Sequence, residues 1–298
     1  MIVIESATEL RRHLAASRGK DRIALVPTMG CLHEGHLSLI RKARSLADIV
    51  VVSIYVNPLQ FGPNEDLGAY PRTLDADAGL CKSEGVDIIF HPENLYADGT
   101  PLVSMHVEEL DQCLCGASRP GHFDGVATVV SILFNIVQPE IAVFGEKDWQ
   151  QLTIIRRMVD GLQMSVEIIG SETVRESDGL ALSSRNRYLS EVDRDKATAL
   201  SQALLAMQTM AEAGEINVTR FIREATAILS EDGIDPEYLD IRDAYTLKPI
   251  DRLNPKQSAR AFIAARIGPA RLIDNISLTL PIDAAGEKNA VEPEEVSL

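Results

Sequence analysis

Two histidines three residues apart, His33 and His36, close the stretch Pro27-Thr28-Met29-Gly30-Cys31-Leu32-His33-Glu34-Gly35-His36. An imidazole N–H is a good donor to a phosphoryl oxygen, and two at this spacing share a face if the chain turns into helix there. Gly30 and Gly35 allow close ligand approach that a Cβ would hinder. Alone, the pair admits two other readings, solvated helix caps or part of a zinc site. No third zinc ligand is placed nearby, and the glycines suit phosphate better. Other residues have suitable types. Asn57 and Gln60, in a loop over 57–66, carry amides that can read hydroxyl and carboxylate groups. Arg119 and His122 share a Pro-Gly turn over 119–125, and Lys147 and Asp148 follow Gly145-Glu146. A polar run over 175–188 holds three arginines with Ser183 and Ser184, types that bind phosphate well and cap helices equally well.

Position along the chain weighs these readings. The apolar run Ile23-Ala24-Leu25-Val26 before the histidines reads as a buried strand, and Leu39, Ile40, Ala43, Leu46 and Ala47 after them fall at helical spacing. The run 49–56 is a second strand, which makes a β-α-β unit with a parallel crossover. In such sheets, strand-to-helix turns collect at the carboxyl edge, where helix N-termini receive phosphate. The spacing predicts a helix near 73–84, a strand over 86–90, and irregular chain over 92–125. It then predicts a buried helix near 128–137, a strand over 141–144 that delivers Lys147 to the same edge, and a last strand over 165–170. Ahead of all this lie a short strand and a helix with Thr8 as N-cap. After about residue 172 come helices near 191–213 and 217–231, then strands over 237–243, 259–267 and 270–278, an order that argues for a small α+β domain. Residues 283–298 carry five acids against one lysine and few large apolar groups, and are expected to be disordered.

Composition restricts the function. Of 298 residues, 45% are hydrophobic and 24% charged, as in an ordinary soluble chain, and no apolar run approaches membrane-spanning length. The first residues lack the pattern of a signal peptide, so a cytoplasmic location is expected. The four cysteines are too few and scattered for a disulfide scaffold, and Cys113-x-Cys115 reads as a pair of incidental thiols. A net charge of −15 argues against a broad nucleic-acid interface. Anionic small substrates fit if the basic residues converge in one cleft.

The motifs together resemble the pantothenate synthetase (pantoate–β-alanine ligase) family of the HxGH nucleotidyl-transferring superfamily. The likeness runs through PTMGxLHxGH at 27–36, NPxQFxPxED at 57–66, YPR at 70–72, RPGHFxGVxTVV at 119–130, FGEKDxQQ at 144–151 and DGLALSSRNxYL at 178–189. It covers residues from about 2 to 281. One departure is Ile132, where the family pattern has lysine, which implies altered packing or surface character more than altered chemistry. The acidic tail looks like an addition.

The resemblance implies a Rossmann-like parallel α/β domain over 1–174, a smaller α+β lid domain over 175–282, and a homodimer. It implies that ATP activates pantoate as pantoyl adenylate, which β-alanine then attacks, with Mg²⁺ carried largely by the ATP phosphates. It places His36, His33, Lys147 and Arg185 in catalysis, with Ser183 and Ser184 beside them. ATP contacts fall on Met29, Gly30, Cys31, Leu32, His33, Glu34, Gly35, His36, Gly145, Glu146, Lys147, Asp148, Val174, Leu182, Ser183, Ser184 and Arg185. Pantoate contacts fall on Gln60 and Gln151, with Asn57, Tyr70, Arg119 and His122 as further candidates, and the β-alanine contact on Gln60. Other classes share parts of this pattern. An enzyme transferring AMP to a phosphorylated vitamin or sugar would not need the amide loop, a tRNA-charging enzyme would need a basic surface, and a non-catalytic module would bind ATP without releasing pyrophosphate.

Overall fold

A computed structural model of the chain describes residues 1–63, 65, 67–96 and 100–281. The expected disordered tail over 283–298 lies outside them. In order, the elements are β1 (Ile2–Ile4), α1 (Ala7–Leu14), β2 (Ile23–Thr28), α2 (Glu34–Leu46), β3 (Ile49–Ile54), α3 (Leu74–Ser83), β4 (Ile88–Phe90), α4 (Leu114–Ser118), α5 (His122–Val137), β5 (Ile141–Gly145), α6 (Trp149–Gly161) and β6 (Glu167–Ser171). There follow α7 (Glu191–Glu212), α8 (Val218–Glu231), β7 (Pro236–Asp243), β8 (Ala259–Ile267) and β9 (Ala270–Leu278).

The first six strands form one parallel sheet in the order β1-β4-β3-β2-β5-β6, and the last three an antiparallel sheet β7-β8-β9. Successive strand residues face opposite sides. Leu25, Val51, Phe90 and Ala142 therefore join α1, α5 and α6 in one core, while Ala24, Val26, Val52 and Val143 meet α2 and α3 in another. Burial on both faces is why these strands are continuously apolar instead of alternating. A third core lies between α7, α8 and the antiparallel sheet, built on Leu200, Leu204, Phe221 and Ile263. That sheet is also docked on the large core, which includes Ala244, Leu247 and Phe262.

Three expectations shift. Ser6, not Thr8, caps α1, its hydroxyl accepting from the Glu9 amide. The turn expected over 119–125 ends at Gly121, whose φ of 79° turns the chain so that helix begins at His122, not near 128. Gly125 is therefore helical, and a Cβ there would lie 2.4 Å from the Leu59 carbonyl oxygen, so the residue lets α5 abut the amide loop. The irregular stretch over 92–125 also contains α4. Ile132 is half-buried against the main core, consistent with a packing role.

Candidate active site

Along the parallel sheet, strand order reverses between β2 and β5, which pair directly. Ligands of open α/β sheets bind outside the carboxyl ends at such a point. The chain leaves β2 into the histidine turn and β5 into Gly145-Glu146-Lys147-Asp148. A cleft of about 250 Å³ opens there, and shares Lys147, Gln151, Ser183 and Arg185 with an adjoining cavity of about 340 Å³.

His33 is the N-cap of α2. Its Nδ1 accepts from the Gly35 amide at 3.2 Å, while His36 Nδ1 accepts from the His33 amide at 3.3 Å. This is a reciprocal capping box with imidazoles in both roles. An accepting Nδ1 in a neutral ring puts the proton on Nε2. Both rings stay neutral. Burial, then the charges of Lys147 and Arg187, pushes His33 down to about 4; burial, then His33, pushes His36 down to about 3. Capping and ligand binding are therefore compatible, because each uses a different nitrogen. A Cβ on Gly35 would meet the His33 ring at 2.9 Å, so glycine lets the imidazole fold over the turn.

The opposite wall is a hydrogen-bonded frame around Gln60. Asn57, 1% exposed, donates Nδ2 to Gln60 Oε1 at 2.9 Å and to the Gly125 carbonyl at 3.0 Å, and its Oδ1 accepts from Tyr96 Oη at 2.7 Å. Arg119 clasps Glu65 through Nε and Nη2, both at 2.7 Å, and also donates to the Gln60 carbonyl at 3.0 Å. Burial raises the Glu65 pKa, but the Arg119 bonds outweigh it and hold the carboxyl below its usual range. His122 Nδ1 donates to the Gln60 carbonyl at 2.8 Å, and Nε2 accepts from Arg119 at 2.9 Å. Burial, then the Arg119 charge, lowers His122 to about 4, which this tautomer requires.

The family model for pantoate-beta-alanine ligase matches residues 2–277. The chain belongs to this family. A pantothenate synthetase from Chromohalobacter salexigens is 50% identical over 285 residues, covering 94% of this chain and 100% of that one. The solved structure of the pantothenate synthetase from Thermus thermophilus is 46% identical, with a TM-score of 0.88 and coverage of 94% and 100%. A pantoate-β-alanine ligase from Francisella tularensis, described as complexed with β-γ ATP and β-alanine, is 35% identical, with a TM-score of 0.76 and coverage of 93% and 97%.

Most residues that the family pattern singles out meet in the cleft. Met29, His33, Gly35 and His36 line it from the first turn; Gly145, Lys147, Asp148 and Gln151 from the second; Val174, Leu182, Ser183, Ser184 and Arg185 from the crossing segment; and Gln60, Tyr70, Arg119 and His122 from the frame. Six do not line it. The Cys31 and Leu32 amides turn away with Gly30 and donate to the Asp77 carboxylate at 2.9 and 2.8 Å. Glu34 reaches outward to Arg41, Glu146 lies toward Arg260, and Asn57 is buried behind Gln60. Both ring nitrogens of His122 are engaged already, so it positions Gln60 and has no polar atom to offer a ligand.

Asp77, Tyr96 and Glu65 escaped the sequence reading. Asp77 carried a signal: with Cys81 at i+4 it forms the buried face of α3, where an acid is out of place unless it is satisfied.

Proposed function

We propose that the chain joins D-pantoate to β-alanine at the expense of ATP in two steps. Pantoate carboxylate attacks the α-phosphorus and pyrophosphate leaves. The β-alanine amine, after losing its proton, attacks the acyl carbon of pantoyl adenylate and AMP leaves. The observation that carries this is the convergence at the switch point of neutral Nε2–H donors on His33 and His36 with Lys147, Ser183, Ser184 and Arg185, facing Gln60 and Gln151. Negative charge builds on the phosphates in the first step, so donors fixed before reaction lower its barrier. The two glutamines present amides to pantoate's hydroxyl and carboxylate, and Gln60 remains to meet β-alanine.

Among the described residues no three His, Cys, Asp or Glu side chains are grouped to hold a metal, while Asp148 and Glu172 line the cleft. One or two carboxylates with substrate phosphates suit Mg²⁺. These two would face a magnesium ion brought in on ATP, which would neutralise phosphate charge. Residues 1–174 act as the nucleotide- and pantoate-binding domain, and 175–282 supply the covering wall. A homodimer is supported by the resemblance and by the exposed Ile2 and Val3 on edge strand β1; the sparse, unpaired cysteines suit the cytoplasm.

Mixing with ATP should release pyrophosphate only when pantoate is present, and without β-alanine. His36→Ala should slow that burst about 10²- to 10³-fold, the usual cost of one fixed donor. Pyrophosphate release that requires β-alanine, or an unchanged burst in the variant, overturns the scheme.

A further inference from the structure

Neither the histidines nor the glutamines explain how Lys147 and the 183–185 segment hold their mutual spacing. They lie on different loops, and the second follows the crossing to the antiparallel sheet. We propose that Asp274 and Asn275, neighbours on β9, are positioning residues that tie these two phosphate-binding segments to one rigid strand.

The pair sits in the middle of β9 between Ile273 and Ile276, each of the two polar residues 4% exposed. Neighbours on a strand point to opposite faces, so two adjacent side chains reach two different loops. Asp274 takes a bidentate pair from Arg175, at 2.6 and 2.9 Å. Arg175 also donates to the Gly179 carbonyl at 3.0 Å and bridges to Ala181, which closes the turn leading into Leu182 and Ser183. Leu182 continues the tie, its amide donating to the Val174 carbonyl at 2.9 Å.

On the other face, Asn275 Nδ2 donates to the Glu146 carbonyl at 3.1 Å and the Lys147 carbonyl at 2.8 Å. Only an amide can do this while accepting at its oxygen, and Oδ1 accepts from Arg260 Nη1. Arg260 is itself held, its guanidinium 3.5 Å from the Trp149 ring centre and its Nη2 3.7 Å from the Glu146 carboxylate. The Lys147 backbone is thus fixed by a neutral amide, not by a charge that would compete with phosphate. Misplacing a reacting group by about 1 Å costs on the order of 10²-fold in rate.

This inference rests on the proposed ligase reading, so its test has a readout that does not. Asn275→Ala should slow the pyrophosphate burst about 10- to 100-fold, and should also weaken binding of a non-hydrolysable ATP analogue measured by calorimetry. In a Lys147→Ala background the same substitution should cost nothing further in either measurement, because the group it positions is gone. A merely structural role would add to the Lys147→Ala loss. If Asn275→Ala does not fold, Asp274→Asn, which keeps the shape and weakens the Arg175 pair, takes its place against a Ser183→Ala, Ser184→Ala background. Parent-like binding and burst in the folded variant, or additive losses in the double variants, overturn the tie. No pantoate-dependent burst in the parent would overturn the ligase reading instead, and analogue binding would still decide the tie.

Discussion

An imidazole has two nitrogens, and at three histidines of the cleft the hydrogen bond at Nδ1 settles what Nε2 can do. In His33 and His36 Nδ1 accepts, leaving an Nε2–H for ligand; in His122 Nδ1 donates to the Gln60 carbonyl, leaving Nε2 as acceptor from Arg119. All three depend on remaining neutral, and burial is the largest cause of their lowered pKa values. A proton on His122 would turn its acceptor into a donor facing a guanidinium. The unfolded chain binds that proton near the ordinary imidazole value, whereas the folded one resists until about 4. His122 therefore supports full stability above the unfolded value, and stability is lost as pH falls toward 4, by at most about 1.4 kcal/mol per pH unit. His122→Gln preserves a donor and an acceptor without titrating. Urea unfolding should show the parent losing about 1 kcal/mol more than the variant between about pH 6.5 and about pH 5.5. Equal losses would show that His122 is protonated without cost.

At the scale of elements, the turn after β2 is shaped from behind by α3. Asp77, 2% exposed, accepts from the Cys31 and Leu32 amides and from the Thr73 hydroxyl. Cys31 is held at a φ of 53°, a left-handed conformation that costs a non-glycine residue energy and persists only where its surroundings enforce it. Asp77→Ala would orphan two buried amides; we expect a stability loss of about 2 to 4 kcal/mol and a pyrophosphate burst reduced with the misplaced histidines, checked by urea unfolding and rapid quench. A parent-like burst would mean that the turn holds itself. Much of this scale was legible in the sequence. Strands β2 to β5 announce themselves as apolar runs because both faces are buried, and the strands of the second sheet are found within a residue of expectation. The start of α5 was not, because Pro120-Gly121 is ordinary turn chemistry until φ at Gly121 is known. Asn57 has the type and edge position of a ligand group, both visible in sequence, whereas its enclosure by Tyr96, Gly125 and Gln60 is not. Asp77 and Asn275 act through backbone groups far away in the chain, and side-chain spacing cannot reveal such partners.

At the scale of the molecule, a net charge of −15 coexists with a cleft in which Lys147, Arg119 and Arg185 outnumber Asp148 and Glu172. Charge concentrated in one place favours small anions over an extended polyanion. The same cleft must keep water from an acyl adenylate, a task that suits the lid over 175–282 that the resemblance implies. The contacts of the antiparallel sheet restrict what can move. Trp149 Nε1 donates to the Ala244 carbonyl at 2.7 Å, its ring carries Arg260, and Phe262, Ala244 and Leu247 belong to the large core. Swinging the sheet as a body would break these buried contacts and pull Asn275 from the Lys147 turn. No residue of the 3-10 turn Ser184–Tyr188 is buried, and Asn186 Nδ2 holds it to the Glu176 carboxylate at 3.2 Å and the Ala181 carbonyl at 3.1 Å, within the crossing segment itself. With Leu182 and Ser183 held through Arg175 to Asp274, we expect closure to be a movement of the outer part of this turn, around exposed Arg187, over the phosphates while the sheet stays docked. Trp149 is the chain's sole tryptophan and lies 8% exposed at that interface, so its fluorescence reports on the docking. Acrylamide should quench it no more strongly with ATP and pantoate bound than without them, while trypsin cleavage at exposed Arg187 slows on binding. Greater quenching in the complex, with a red-shifted emission, would show that the whole sheet swings and would return the lid role to residues 175–282 as a unit.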